Sequence, residues 1–318
     1  MNIKCVSSTS IPAEQWDSFI LASPEGMVYA LTDFLNGMAP DWSAYIIEDD
    51  NKWQMVFPFR VAKKYFLSYF LQPKFTQFLG PAFKPFSGKA SKELQWKNKA
   101  LDLLCKRIKQ DFSYVNFNMH PGMDYTIPFV WNKFRVSPRF TYQIQLSDRS
   151  LTEIEGEVQK GKIQMHKAIQ AGFSFEELES AHDLVDLFAR LKSKAIGHLT
   201  PKDYSDFAEM LKPLWEKGYA KVFKLSSPDG ELAGGMVLYI YKGCLTYAFS
   251  VADPKFSKLS IGHALIWKSV QYAKEQGLDL VDFEGSMIPE IERVFRRFGA
   301  KPTTYLNVQQ ARFRFLYR

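Results

Sequence analysis

The chain is poor in residues that build covalent or metal-held scaffolds. It has 3 cysteines in 318 residues. Cys5, Cys105 and Cys244 stand far apart, a spacing that makes neither a disulfide framework nor a metal set and fits a reducing compartment. The 5 histidines, His120, His166, His182, His198 and His263, include no H-x-x-x-H pair and no neighbour of a cysteine, which argues against a zinc site. No run of about 18 apolar residues occurs. The most apolar region, Val56 to Leu71, is broken by Arg60, Lys63 and Lys64. The opening "MNIKCVSSTS" lacks the charged, apolar and small-residue sections of a secretory signal. Also absent are a G-x-S-x-G elbow, a P-loop and a dinucleotide fingerprint. A cytoplasmic protein with no metal and no transmembrane segment is expected.

What is present is the balance of an ordinary folded protein, with 46% hydrophobic and 24% charged residues. The length exceeds the usual single-domain size of roughly 100 to 200 residues, so two domains are expected. The net charge of +7 favours acidic partners such as phosphorylated ligands, RNA or an anionic membrane surface, without selecting among them. DNA is not expected.

The first half reads as helices near Pro12 to Ala22 and Ala30 to Met38, then strands at Ser43 to Ile47, Gln54 to Val61 and Tyr65 to Gln72, rich in aromatic and β-branched residues. A helix over Lys92 to Ile108, a strand "YVNFNM", a short helix to Phe134 and a strand from Phe140 to Leu146 follow. Beyond a polar bridge, Ser147 to Gly161, three helical stretches lead to an antiparallel meander over Ala220 to Ser226, Leu232 to Tyr241 and Cys244 to Val251. The last quarter reads as a helix, Ile261 to Gln276, a strand, Leu278 to Glu284, a helix beginning at Ser286 and Pro289 with an Ile288, Ile291, Phe295 and Phe298 stripe, and a strand, Thr303 to Gln309. In the tail "ARFRFLYR", alternating arginines and aromatics read as a half-buried final strand.

The end of the first half recurs at the end of the second. Val115-Asn116-Phe117-Asn118 matches Val281-Asp282-Phe283-Glu284, and Val130 to Phe134 with Val136 and Pro138 matches Val294 to Phe298 with Ala300 and Pro302. Such self-similarity points to two domains of one fold, here 1–148 and 149–318. Period-two alternation puts Asp282 and Glu284 on one strand face. The first copy has Asn116 and Asn118 there, which cannot take a proton at neutral pH, so acid–base chemistry on this strand belongs to the second copy.

The meander, the glycine-bearing helix start after it, the strand ending in acids and the final helix–strand pair resemble the acetyltransferase fold called GNAT. Duplicated in one chain, with stretches such as "WDSFI", "FLQPKFTQFLGPAF", "KGKIQMHKAIQAG" and "VDFEGSMIPEIERVFRRFGAKP", it resembles the FemAB-like group. The resemblance implies an α/β fold of two tandem GNAT-like domains with mixed sheets. It implies transfer of an acyl or aminoacyl group to an amine, on a cell-envelope precursor, sugar or other small molecule, from acyl-coenzyme A or aminoacyl-tRNA. It places a donor phosphate loop at Lys258, Ser260, Gly262 and His263, where Gly262-His263-Ala264 fits the second half of (Arg/Gln)-x-x-Gly-x-(Gly/Ala) but Leu259 stands at the Arg/Gln position. Glu284 or Asp282 is the candidate base, Tyr247 the candidate proton donor to the leaving group, and Gln72, Gln77 and Lys167 the candidate acceptor contacts. Two alternatives remain open, an ordinary coenzyme A-dependent N-acetyltransferase and a non-catalytic binding module of duplicated fold.

Overall fold

The computed structural model describes residues 1–123, 125–158, 162–192, 199–285 and 287–313. The chain forms two compact units, one of Met1–Arg139 with the residues from Thr304 onward, the other Phe140–Thr303. Ser286, His198 and the tail beyond Phe313, on which parts of the sequence reading fall, lie outside the described residues.

In chain order the elements are β1 (Asn2–Ser7), α1 (Ala13–Ala22), α2 (Thr32–Met38), β2 (Ser43–Asp49), β3 (Lys52–Lys64), β4 (Leu67–Leu71), β5 (Ala82–Phe83), α3 (Ala90–Asp111), β6 (Tyr114–Asn118), α4 (Ile127–Trp131) and β7 (Arg135–Gln145). There follow α5 (Leu151–Glu157), α6 (Lys162–Gln170), β8 (Ser174–Leu178), α7 (His182–Lys192), α8 (Pro201–Glu216), β9 (Ala220–Ser226), β10 (Leu232–Tyr241), β11 (Cys244–Ala252), α9 (Ile261–Glu275), β12 (Leu280–Asp282), α10 (Pro289–Arg297) and β13 (Lys301–Ala311). The α/β class with mixed sheets agrees with the sequence. β1 and β8, polar strands with little apolar alternation, and the two-residue β5 were not legible.

In the first unit the strand order is β1-β2-β3-β4-β6-β13, with β4–β6 parallel and the other pairs antiparallel. Its core is aromatic. Phe59 and Phe70 stack at 4.4 Å, and Phe57 meets Phe117 edge-on at 4.9 Å, pairs worth about 0.5–1.5 kcal/mol each beyond their burial. α3 covers this core with Leu101, Leu104, Cys105 and Ile108, buried at helical spacing.

In the second unit the order is β7-β12-β11-β10-β9-β8, with β11–β12 parallel. α9 packs Leu265, Val270 and Ala273 into a cluster with Leu238, Tyr247 and Phe283. α5 and α8 each begin in a capping box, Ser150 with Glu153 and Thr200 with Asp203.

The unit bounds differ from the division at 148/149. β7 lies N-terminal to that cut but pairs with β12 of the second unit, and β13 ends the chain but pairs with β6 of the first. Each unit is thus completed by a strand from the other half of the sequence.

Candidate functional site

β11 and β12 lie side by side only from Cys244 opposite Leu280 to Thr246 opposite Asp282. Beyond that point β11 continues to Ala252 while β12 stops, so the two parallel strands part at their C-terminal ends. Such ends are where open α/β sheets receive ligands. β11 also carries a bulge. Leu238 is opposite Tyr247 and Val237 opposite Phe249, which leaves Ala248 as the extra residue. The bulge turns the strand over: Tyr247 packs beside Phe283 at 5.9 Å, whereas Phe249 packs on Phe188 and Phe207 of α7 and α8. Ala248 itself has no opposite residue in the register of either ladder.

Asp282 and Glu284 do not continue one alternating strand, as the sequence suggested. β12 ends at Asp282, and Glu284 adopts φ +56 with Gly285 at φ +71. A Cβ on Gly285 would sit 2.1 Å from the Phe140 carbonyl oxygen, so this turn requires glycine. The two carboxylates have opposite surroundings. Asp282 is 4% exposed and accepts hydrogen bonds from Thr141 Oγ1, from Gln143 Nε2 at 2.7 Å and from the Glu284 N–H at 2.7 Å. Burial raises its pKa, and these donors pull it back. Its carboxylate ties β12 to β7 and holds the turn that carries Glu284.

Glu284 has no such partners. Although the residue is half-buried overall, its Oε1 has no accessible surface and no hydrogen-bond partner among the described residues. Burial alone pushes its carboxyl well above the ordinary carboxylate range. An orphaned polar atom of this kind costs about 1–3 kcal/mol, and a non-glycine residue at positive φ costs about 1 kcal/mol more. A carboxylate kept hungry for a proton, on a strained turn beside parting strands, is the arrangement a general base needs.

Tyr247 is buried, hydrogen-bonds to Ser250, and has its pKa raised mainly by desolvation. Its hydroxyl therefore stays protonated and can donate. The loop after β11 enters α9 through Ser260, which has φ +54 and makes no side-chain cap. Gly262 faces open space, with nothing within 4 Å of where a Cβ would lie. A bare backbone at an uncapped helix start fits a phosphate group. Lys258 is exposed, and Leu259 packs against the core, so its side chain does not serve as the missing Arg/Gln. His263 is half-buried against Phe298 at 5.8 Å, and burial, then the Arg297 charge, lowers its pKa. The ring is neutral near pH 7 and offers a hydrogen bond rather than a cation.

Of the candidate acceptor residues, Gln72 and Gln77 belong to the first unit and Lys167 to the second. Gln72 Oε1 accepts from the Asn118 N–H at 3.0 Å, and Gln77 Nε2 donates to Tyr305 at 2.8 Å, both within the first unit. Lys167 lies half-exposed on α6. Among the described residues no three His, Cys, Asp or Glu side chains are grouped as for a metal.

The sequence missed Thr141 and Gln143, although their period-two spacing on a strand was visible, and it missed the bulge at Ala248. The first unit repeats the arrangement in neutral form. Leu71 is opposite Asn116 as Thr246 is opposite Asp282, and Asn116 accepts from Asn307 and Gln309 as Asp282 does from Thr141 and Gln143. There, Gln72 bridges to Asn118 where the other unit's strands part.

Residues 159–288 match the acetyltransferase (GNAT) domain family. No curated protein matches the chain by sequence. Among solved structures, FemX is similar at 15% identity, covering 96% of this chain and 97% of that one with a TM-score of 0.65. L-PGS from Bacillus licheniformis is similar at 12% identity, with 95% and 92% covered and a TM-score of 0.57. A tandem GNAT protein from the clavulanic acid biosynthesis pathway, solved without acetyl-coenzyme A, gives 12%, 98% and 99%, and 0.55.

Proposed function

We propose that this chain is a FemAB-like protein of tandem GNAT fold whose second unit moves an acyl or aminoacyl group onto an amine, with Glu284 as the general base. The buried, unpartnered Oε1 of Glu284 carries this reading. Glu284 takes a proton from the acceptor ammonium. The freed amine attacks the donor carbonyl carbon, and a C–N bond forms as the bond to the leaving sulfur or oxygen breaks. Tyr247 donates a proton to that leaving group and is reprotonated as the new amide nitrogen sheds its second proton, and the Ala248 N–H at the bulge is the candidate donor to the carbonyl oxygen. Asp282 is a positioning residue, holding the Glu284 turn. The acceptor class, a cell-envelope precursor or sugar, comes from the FemAB-like resemblance.

The donor is either aminoacyl-tRNA or acyl-coenzyme A. The open face of Gly262 at an uncapped helix start favours the second. Calorimetric titration with coenzyme A and with charged tRNA at two salt concentrations separates them: tRNA binding weakens steeply with salt. Binding of neither strengthens the reading of a non-catalytic module. With the donor known, Glu284→Gln lowers kcat about a hundredfold or more while KM changes little. An unchanged kcat overturns the assignment of the base.

A further inference from the structure

The hairpin between β3 and β4 ends in an unsuitable turn. Lys64 pairs with Leu67, so Tyr65 and Phe66 are its two central residues. Two-residue hairpins favour Asn-Gly or a leading glycine, because the first position needs positive φ. Here Tyr65 holds φ +55, a conformation that costs an aromatic residue about 1–3 kcal/mol. The turn also displays its side chains: Tyr65 is 89% exposed and Phe66 80%. Lys63 and Lys64 precede them, exposed and without an ion pair among the described residues, and the Lys64 ammonium lies 5.9 Å from the Tyr65 ring. Arg312 is at the same end of this unit's sheet, since its N–H donates to the Ser113 carbonyl and Ser113 donates to the Ser68 carbonyl. Phe313, 38% exposed, follows it.

We propose that this tip docks on an anionic phospholipid bilayer. The rings of Tyr65 and Phe66 enter the boundary between headgroups and acyl chains while the lysines stay among the phosphates. Its shape selects this occupant. A convex tip of two side chains is too small to bury the roughly 800 Å² per partner of a stable protein interface, and it lacks the groove that tracks a nucleic-acid backbone. A bilayer accepts a small wedge. The turn's free backbone groups keep the insertion at the interface, because hydrocarbon would leave them unsatisfied.

Co-sedimentation of the full chain with phosphatidylcholine vesicles, with and without phosphatidylglycerol and at low and high salt, tests the proposal. Binding to the anionic vesicles is expected to be about thirtyfold tighter than to the neutral ones at low salt. Tyr65→Gly with Phe66→Ser supplies the residue the turn prefers, so the melting temperature holds or rises while vesicle binding falls about tenfold or more. Lys63→Glu with Lys64→Glu removes the salt-sensitive part. Absence of wild-type binding to anionic vesicles, or binding that the Tyr65→Gly/Phe66→Ser pair leaves intact, overturns it. Transfer activity measured with soluble donor and amine is unaffected by these variants, so failure here is distinct from failure of the transferase reading.

Discussion

Asp282 and Glu284 show how two carboxylates two residues apart take different work from their surroundings. Glu284 has its pKa raised on folding, so between its unfolded value and that higher folded value the native state binds more protons than the unfolded state. Stability from this group therefore falls as pH rises through that window. Glu284→Gln is expected to raise the melting temperature at pH 7, by about 2–4 °C per kcal/mol relieved, and to leave it unchanged below about pH 3, where this carboxyl is protonated in the folded and the unfolded state alike. The same variant loses activity, and the wild-type rate rises with pH through the raised pKa. Calorimetric melts across pH together with a pH–rate profile check both arms. Asp282→Asn behaves oppositely: its NH2 meets a donor where a carboxylate oxygen accepted, at a cost of about 1–3 kcal/mol. Lower melting temperature and lower kcat together are expected, because the Glu284 turn loses its anchor.

At the level of elements, the site is made by what β11, β12 and α9 stop doing. β12 ends early, β11 bulges, and α9 starts without a side-chain cap. Gly262 allows a clean separation of binding from folding. Because nothing stands within 4 Å of its Cβ direction, Gly262→Trp is expected to keep the unfolding free energy within about 1 kcal/mol of wild type while abolishing donor binding. Calorimetry of donor and thermal melt on one sample decide it. α10 teaches the limit of periodicity. Its apolar stripe was legible, yet only Phe295 and Phe298 are buried, while Ile288 and Ile291 are 53% and 41% exposed. Spacing finds a face, but only the neighbouring elements determine how much of it is covered.

For the whole molecule the exchanged strands matter most. A fragment beginning at 149 lacks β7, and with it Thr141 and Gln143, the donors to Asp282. Residues 140–303 are expected to unfold in one cooperative transition, whereas residues 149–303 are not, as circular dichroism melts of the two fragments will show. Ending the chain after Thr303 takes β13 from β6, and amide exchange at 114–118 is expected to accelerate. No helix among the described residues is long and apolar enough to cross a membrane.

The sequence by itself determined most of the elements, β1, β5 and β8 excepted, and their repetition. α8, β9 and β10 begin and end where capping residues, Gly218, Gly230 and alternation placed them, and Val115–Asn116 and Val281–Asp282 hold corresponding registers. These are local signals, written in a few neighbouring residues. Tertiary structure alone decided that β7 and β13 complete the opposite units, that Asp282 is satisfied, and that Glu284 Oε1 is not. The physical reason is that strand pairing and desolvation depend on groups more than a hundred residues away, such as Thr141 against Asp282, and no local pattern records which distant segment arrives.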